Sequence, residues 1–240
     1  MTTSPEAARA YRAGVNALLQ LRRGALQHFA RALALDPTFA LAHAALALMG
    51  HELCAPVDVR TRVRVARLHA RRATDFEKSH VWAVAAHVDG DRQALVRHLD
   101  AHPGDAVLLS VAVPTIAFAG VTDVAEDAWR IVESCTSAQS GTWFHDGLLA
   151  FVRQEQGRFD EAMDLATRSM TYVPGSGHAA HARAHVHYET GDHQGGLDWL
   201  DAWMLGDGKD SDNLVHYAWH AGLHELSRGD LAAVAERYRT

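Results

Sequence analysis

The strongest constraint on this chain is a glycine turn that keeps returning. Clear copies are Gly90-Asp91-Arg92-Gln93-Ala94, Gly157-Arg158-Phe159-Asp160-Glu161-Ala162, Gly191-Asp192-His193-Gln194-Gly195-Gly196 and Gly229-Asp230-Leu231-Ala232-Ala233, with a weaker one at Gly120-Val121-Thr122-Asp123. The intervals between these glycines are 30, 37, 34 and 38 residues. Their mean, about 35, is the length of one helix-turn-helix repeat. Amphipathic apolar segments flank each turn, and a lone hairpin of two such helices cannot bury its apolar face, so neighbours must stack. The chain is therefore predicted to be all-α, a tetratricopeptide-like α-solenoid of helical hairpins with a concave groove. An internal repeat also favours one continuous domain over residues 1–240. Architecture of this kind says little about function, because such scaffolds host many activities.

Individual segments carry the repeat pattern with unequal clarity. Ser4-Pro5-Glu6 reads as an N-cap followed by proline at the first helical position, opening a helix to about Leu21. A second helix is predicted over Ala25–Leu35, where Ala25, Phe29, Ala32 and Pro37 match the second half of a tetratricopeptide repeat. Ala162, Ala166, Ser169 and Pro174 repeat the same offsets, and Ala94, His98 and Ala101 do so with an early Pro103. Pro114 should break the apolar run VLLSVAVPTIAFAG. Loops are expected at Cys54 to Val59, Thr136 to Gly141 and Gly206 to Asp212, which leaves twelve or thirteen helices in six or seven hairpins.

Composition removes several function classes. The net charge is −6, and the nearest approach to a basic stripe, Arg60 to Arg72, reads as the solvated face of a helix, so no nucleic-acid partner is expected. Two cysteines, Cys54 and Cys135, make neither a disulfide framework nor a cysteine-rich zinc site, and buried filler is the default reading of both. The opening MTTSPEAARAYRAG lacks a basic start followed by an apolar stretch, and no apolar run reaches the roughly 20 residues a membrane span needs. The expectation is a soluble, cytoplasmic protein with no membrane partner.

Histidine is the anomaly. There are 17, and protonating all of them would carry the net charge from −6 to +11, so sensitivity to mild acid is expected. Two segments concentrate them. In HAAHARAHVHYETGD, His181, His185 and Glu189 are spaced i, i+4, i+8 on one helix face, with His178 one turn earlier. In NLVHYAWHAGLHELSRGD, His216 and His220 repeat the i, i+4 spacing, with His224 one turn beyond. Packed helices lie roughly 8–10 Å apart, so the two pairs can converge on one ion. Imidazole suits divalent transition metals such as zinc, copper, iron or nickel. Metal ligation or proton transfer by His181, His185, His216 and His220 is one reading. A metal-free pocket that also uses Trp219, Tyr188 and His178 is another, and purely structural histidines are a third.

Familiar catalytic motifs are missing. His51-Glu52 and His224-Glu225 resemble the start of a zinc-protease helix, but neither has a second histidine at the required spacing. The chain has no GxGxxG, no GxxxxGK[ST] and no GxSxG.

The histidine segments carry a resemblance. His181-Ala-Arg-Ala-His185-Val-His187-Tyr-Glu189, then His216-Tyr-Ala-Trp219-His220-Ala-Gly-Leu223 and Gly229-Asp230, are similar to the tetratricopeptide repeat protein 38 family. Asp36-Pro37-Thr38-Phe39 with His43, Glu77-Lys78-Ser79-His80, and Gly147 with Glu155 extend the likeness over nearly the whole chain. Family members are longer, and the match is to their N-terminal half. His178 stands where the family tends to have tryptophan, and Pro114 interrupts a helix in which it usually has histidine. The resemblance implies a helical-repeat fold and directs attention to His181, His185, His216 and His220, without implying a reaction.

Two functions compete on this reading. One is a His- and Trp-lined pocket for a small molecule or metal ion, with catalysis in bacterial small-molecule metabolism as an extension. The other is a non-enzymatic scaffold holding a protein or peptide partner in its groove. Peptide-binding repeats usually line the groove with Lys, Arg and Asn, whereas the inner helices here offer His, Trp, Tyr and Ala, which favours the first.

Overall fold

A computed structural model describes residues 4–116, 120–122 and 124–239. Among them are fifteen helices and no strand: α1 Pro5–Leu19, α2 Ala25–Leu35, α3 Ala40–Glu52, α4 Val59–Ala70, α5 Asp75–Val88, α6 Ala94–Ala101, α7 Ala106–Ala112, α8 Ala125–Ser134, α9 Thr136–Gln139, α10 Trp143–Glu155, α11 Phe159–Tyr172, α12 Gly177–Glu189, α13 His193–Leu205, α14 Leu214–Ser227 and α15 Leu231–Arg237. The all-α expectation holds. The four clear glycine turns separate α5 from α6, α10 from α11, α12 from α13 and α14 from α15, and each glycine has positive φ, between 72° and 102°. That backbone is strained for other residues, so glycine ends these helices for a steric reason. The weaker copy ends at Asp123, which lies outside the described residues.

Chain packing divides into two compact units, residues 1–19 with 24–139, and residues 20–23 with 140–240. In the first, Ser4 caps α1 by accepting from the Ala7 amide at 3.1 Å. Gly14 lets α2 close in, because a Cβ there would lie 2.6 Å from the Phe29 ring. Helix α3 is buried nearly all round, from Ala40 to Met49. Helix α4 is two-faced: Val63, Ala66 and Ala70 are buried while Arg60, Arg64, Arg71 and Arg72 around them are exposed. Asp105 caps α7 through the Leu108 amide and ties the unit together, since its carboxylate also accepts from His80 Nδ1 at 2.6 Å and His98 Nε2 at 3.0 Å.

The second unit packs α10 on α11 and α12, α12 on α13 and α14, and α14 on α15. The segment 20–23 belongs to it: the Arg23 amide donates to Asp210 O and the Asp212 amide to Leu21 O, both at 2.9 Å.

Three expectations need correction. Fifteen described helices replace twelve or thirteen, and one of those added is the short helix α9 inside the loop expected from Thr136 to Gly141. Its Gln139 side chain, nearly buried, donates to Pro103 O at 2.7 Å, an anchor that holds the turn in helical form. Cys135 is buried as expected, but Cys54 is exposed, in a left-handed turn (φ 51°) just past the end of α3.

Candidate metal centre

Helices α12 and α14 bring the four singled-out histidines together. His181 Nε2 lies 2.9 Å from His216 Nε2, 3.0 Å from His220 Nε2 and 3.1 Å from His185 Nε2, and His216 and His220 are 3.1 Å apart. The local sequence explains the convergence. Ala179, Ala180, Ala182 and Ala184 on α12 are fully buried and short enough for neighbouring helices to approach. Gly147 lets α10 press on α12, since a Cβ there would meet the Ala179 nitrogen at 3.2 Å. Tyr217, completely buried, bolts α14 to the start of α12 by donating to Gly177 O at 2.9 Å. Trp203 packs edge-on against Tyr217 at 4.8 Å and donates to Pro174 O at 2.9 Å.

Phe151 of α10 completes the wall, stacked on His181 at 5.1 Å and edge-on to His185 at 5.5 Å. Trp219 lies 4.8 Å from His220 and 5.6 Å from His216, with 41% of its surface exposed. His181 and His220 are buried, while His185 and His216 are half-buried and give the cluster its solvent side.

Proton chemistry makes this arrangement unusual. A neutral imidazole carries one N–H and one lone pair, so each Nε2 is either a donor or an acceptor. Three such atoms, on His181, His216 and His220, touch one another in a closed triangle. Two of any three must be of the same kind. At least one edge therefore sets lone pair against lone pair or N–H against N–H, and no tautomer choice removes the conflict. A cation at the centre would satisfy every lone pair together.

The dimensions fit. Metal–nitrogen bonds of about 2.0–2.1 Å put tetrahedral ligands about 3.3 Å apart, a few tenths of an ångström wider than the distances among His181, His216 and His220, and these three, without His185, offer nitrogens that all lie within 4.8 Å of one another. The protonation state fits as well. Burial, then the charges of His185, His220, His216 and His178, hold His181 well below the ordinary imidazole value. Burial first, then neighbouring histidines, lowers His185 to about 4 and His220 to about 2, and burial lowers His216. The cluster is thus neutral near pH 7, with lone pairs free of proton competition. One feature departs from common metal sites: the buried Nδ1 of His181 has no hydrogen-bond partner among the described residues, where ligand histidines usually lean on a carboxylate or carbonyl.

The remaining singled-out residues lie elsewhere in the unit. Tyr188 packs against His193 at 5.4 Å and His224 at 5.7 Å, a separate group in which the two histidine Nδ1 atoms are 3.3 Å apart. His178 is buried against Phe144 at 5.5 Å. Glu189, the last residue of α12, is exposed. Phe151 and Tyr217 were not anticipated. Tyr217 had a weak signal, its place between two of the histidine positions, whereas Phe151 sits 30 residues before His181 with no local mark.

No protein-family model matches the chain. No described helix is long and apolar enough to cross a membrane.

Proposed function

We propose that this chain binds a divalent transition-metal ion through His181, His185, His216 and His220, and that a small molecule binds at the solvent side of that ion. The observation carrying the reading is the closed triangle of Nε2 atoms on His181, His216 and His220, which hydrogen bonding cannot satisfy. All four ligands are neutral, so a bound ion would keep its full charge and act as a Lewis acid toward an anionic or carbonyl oxygen. Trp219, half in solvent beside His216 and His220, offers an indole face for the organic part of such a ligand. The repeat period and the likeness to the tetratricopeptide repeat protein 38 family support a tetratricopeptide-like solenoid, with these first helices lining its concave groove.

The test is elemental analysis of purified protein together with titration of chelator-treated protein by Zn²⁺ and Cu²⁺. One ion lost on His181→Ala or His216→Ala is the expected result. A wild-type protein that binds neither ion at these residues overturns the metal reading and returns weight to a protein-binding scaffold.

A further inference from the structure

His51-Glu52 lacks a second histidine four residues on, but the fold supplies one from another helix. His87, in the last turn of α5, puts its Nε2 2.6 Å from Glu52 Oε1. His51 Nε2 stands 3.6 Å from that same oxygen, and the two imidazoles meet edge-on at 5.3 Å. One ligand atom from each of the three residues lies within 4.8 Å of the other two.

We propose that His51, Glu52 and His87 form a second metal centre, a two-histidine, one-carboxylate site for a divalent first-row ion that keeps open coordination positions toward solvent. Three observations bear on it. The first is electrostatic position. Glu52 is the last residue of α3, and His87 lies in the last turn of α5. The carbonyl ends of helices carry partial negative charge, so a carboxylate there is at the wrong end unless a cation accompanies it. Two helix C-termini and one carboxylate facing the same point make a cation-favouring spot.

The second is access. The side chains of His51, Glu52 and His87 are 39%, 24% and 9% exposed, so the site has a buried wall and an open mouth. An ion can enter, and its remaining positions face water. The nearby trio His80, His98 and Asp105 shows the contrast: all three are buried, and both His98 nitrogens are used, one on Ser79 Oγ at 2.8 Å and one on Asp105 at 3.0 Å. That trio is closed to solvent. The site at His51 is open on one side.

The third is register. Glu52 and His87 are 35 residues apart, as are His181 and His216. The same repeat step that assembles the four-histidine cluster superposes the ends of α3 and α5. The carboxylate distinguishes the two centres chemically, because an oxygen donor accommodates harder ions such as Mn²⁺ that four imidazoles hold poorly.

The experiment uses the full chain, stripped with chelator and equilibrated with Co²⁺ or Mn²⁺, with bound metal counted after dialysis. Wild-type protein should take up two equivalents of Co²⁺ and one of Mn²⁺. His181→Ala/His220→Ala should keep one Co²⁺ and the Mn²⁺. Glu52→Gln, or His51→Ala at its exposed position, should remove one Co²⁺ and abolish Mn²⁺ uptake, with helical circular dichroism unchanged. Co²⁺ and Mn²⁺ binding indifferent to both Glu52→Gln and His51→Ala overturns the proposal. A single Co²⁺ that Glu52→Gln removes and His181→Ala/His220→Ala leaves in place upholds it, and removes the four-histidine reading instead.

Discussion

His181 and His216 bring their Nε2 atoms to 2.9 Å across 35 residues of chain. His185 and His220 are also 35 residues apart, with ring centres 4.7 Å from one another. Helices α12 and α14 therefore present the same two positions, one turn apart, in the same register. The cluster is two like histidine pairs laid side by side.

Metal should stabilise the protein measurably. An ion at 100 times its dissociation constant adds about 2.7 kcal/mol to the folded state, which for a chain of this size raises the melting midpoint by about 5–10 °C. Thermal melts with and without Zn²⁺ check this, and His216→Ala should abolish most of the shift.

Stability should fall in mild acid. His178 and His224 are lowered to about 4, chiefly by burial, alongside His181, His185 and His220. These groups stay neutral when folded, while the unfolded chain takes up protons near pH 6.5. Their contribution is complete above about 6.5 and is lost as the pH drops from there toward 4. Melting midpoints between pH 8 and pH 5.5 should decline, and the decline should steepen with Zn²⁺ bound, since protons then displace the ion as well.

Tyr217→Phe isolates the bolt between α12 and α14. Loss of its buried hydrogen bond to Gly177 O should cost about 1–2 kcal/mol in urea unfolding. The same change should weaken metal binding, because the relative placement of the two histidine pairs depends on that contact. Unchanged affinity would show that packing alone sets their spacing.

Trp219 is the optical reporter of the site. Its ring is 4.8 Å from His220, so Cu²⁺ binding should quench part of the tryptophan fluorescence. Trp219→Phe should bind Cu²⁺ with the quenched component gone, and the side chain's exposure means the fold should be retained.

Asp105→Asn is the control in the other unit. Burial alone would raise this carboxyl, but His80's charge and the hydrogen bonds from His80, His98 and the Leu108 amide outweigh it and hold the group well below the usual carboxylate range. Breaking that buried set should cost about 3–5 kcal/mol, with Zn²⁺ binding at the four histidines unaffected.

Local signals were legible in the sequence wherever the cause is local. Helix α2 runs from Ala25 to Leu35 as the Ala, Phe, Ala, Pro offsets imply, and the glycines of the clear turns adopt the backbone only they tolerate. The i, i+4 histidine pairs were visible for the same reason. Contacts between helices were not. Phe151 reaches His181 from α10, and His87 reaches Glu52 from α5, so neither partner leaves a pattern in the other's segment. The turn at Thr136–Gln139 is likewise held by a proline carbonyl 36 residues away.

Between α13 and α14 the chain passes through Gly206 to Asn213, a run of turns. That run is itself tied down, because the Arg23 amide donates to Asp210 O and the Asp212 amide to Leu21 O. Inside α14 the constraint is one of rotation: one residue inserted between Tyr217 and His220 would turn His220 by about 100° away from α12. The loop is thus held by its contacts, and the histidine turns are held by their phase around the helix axis.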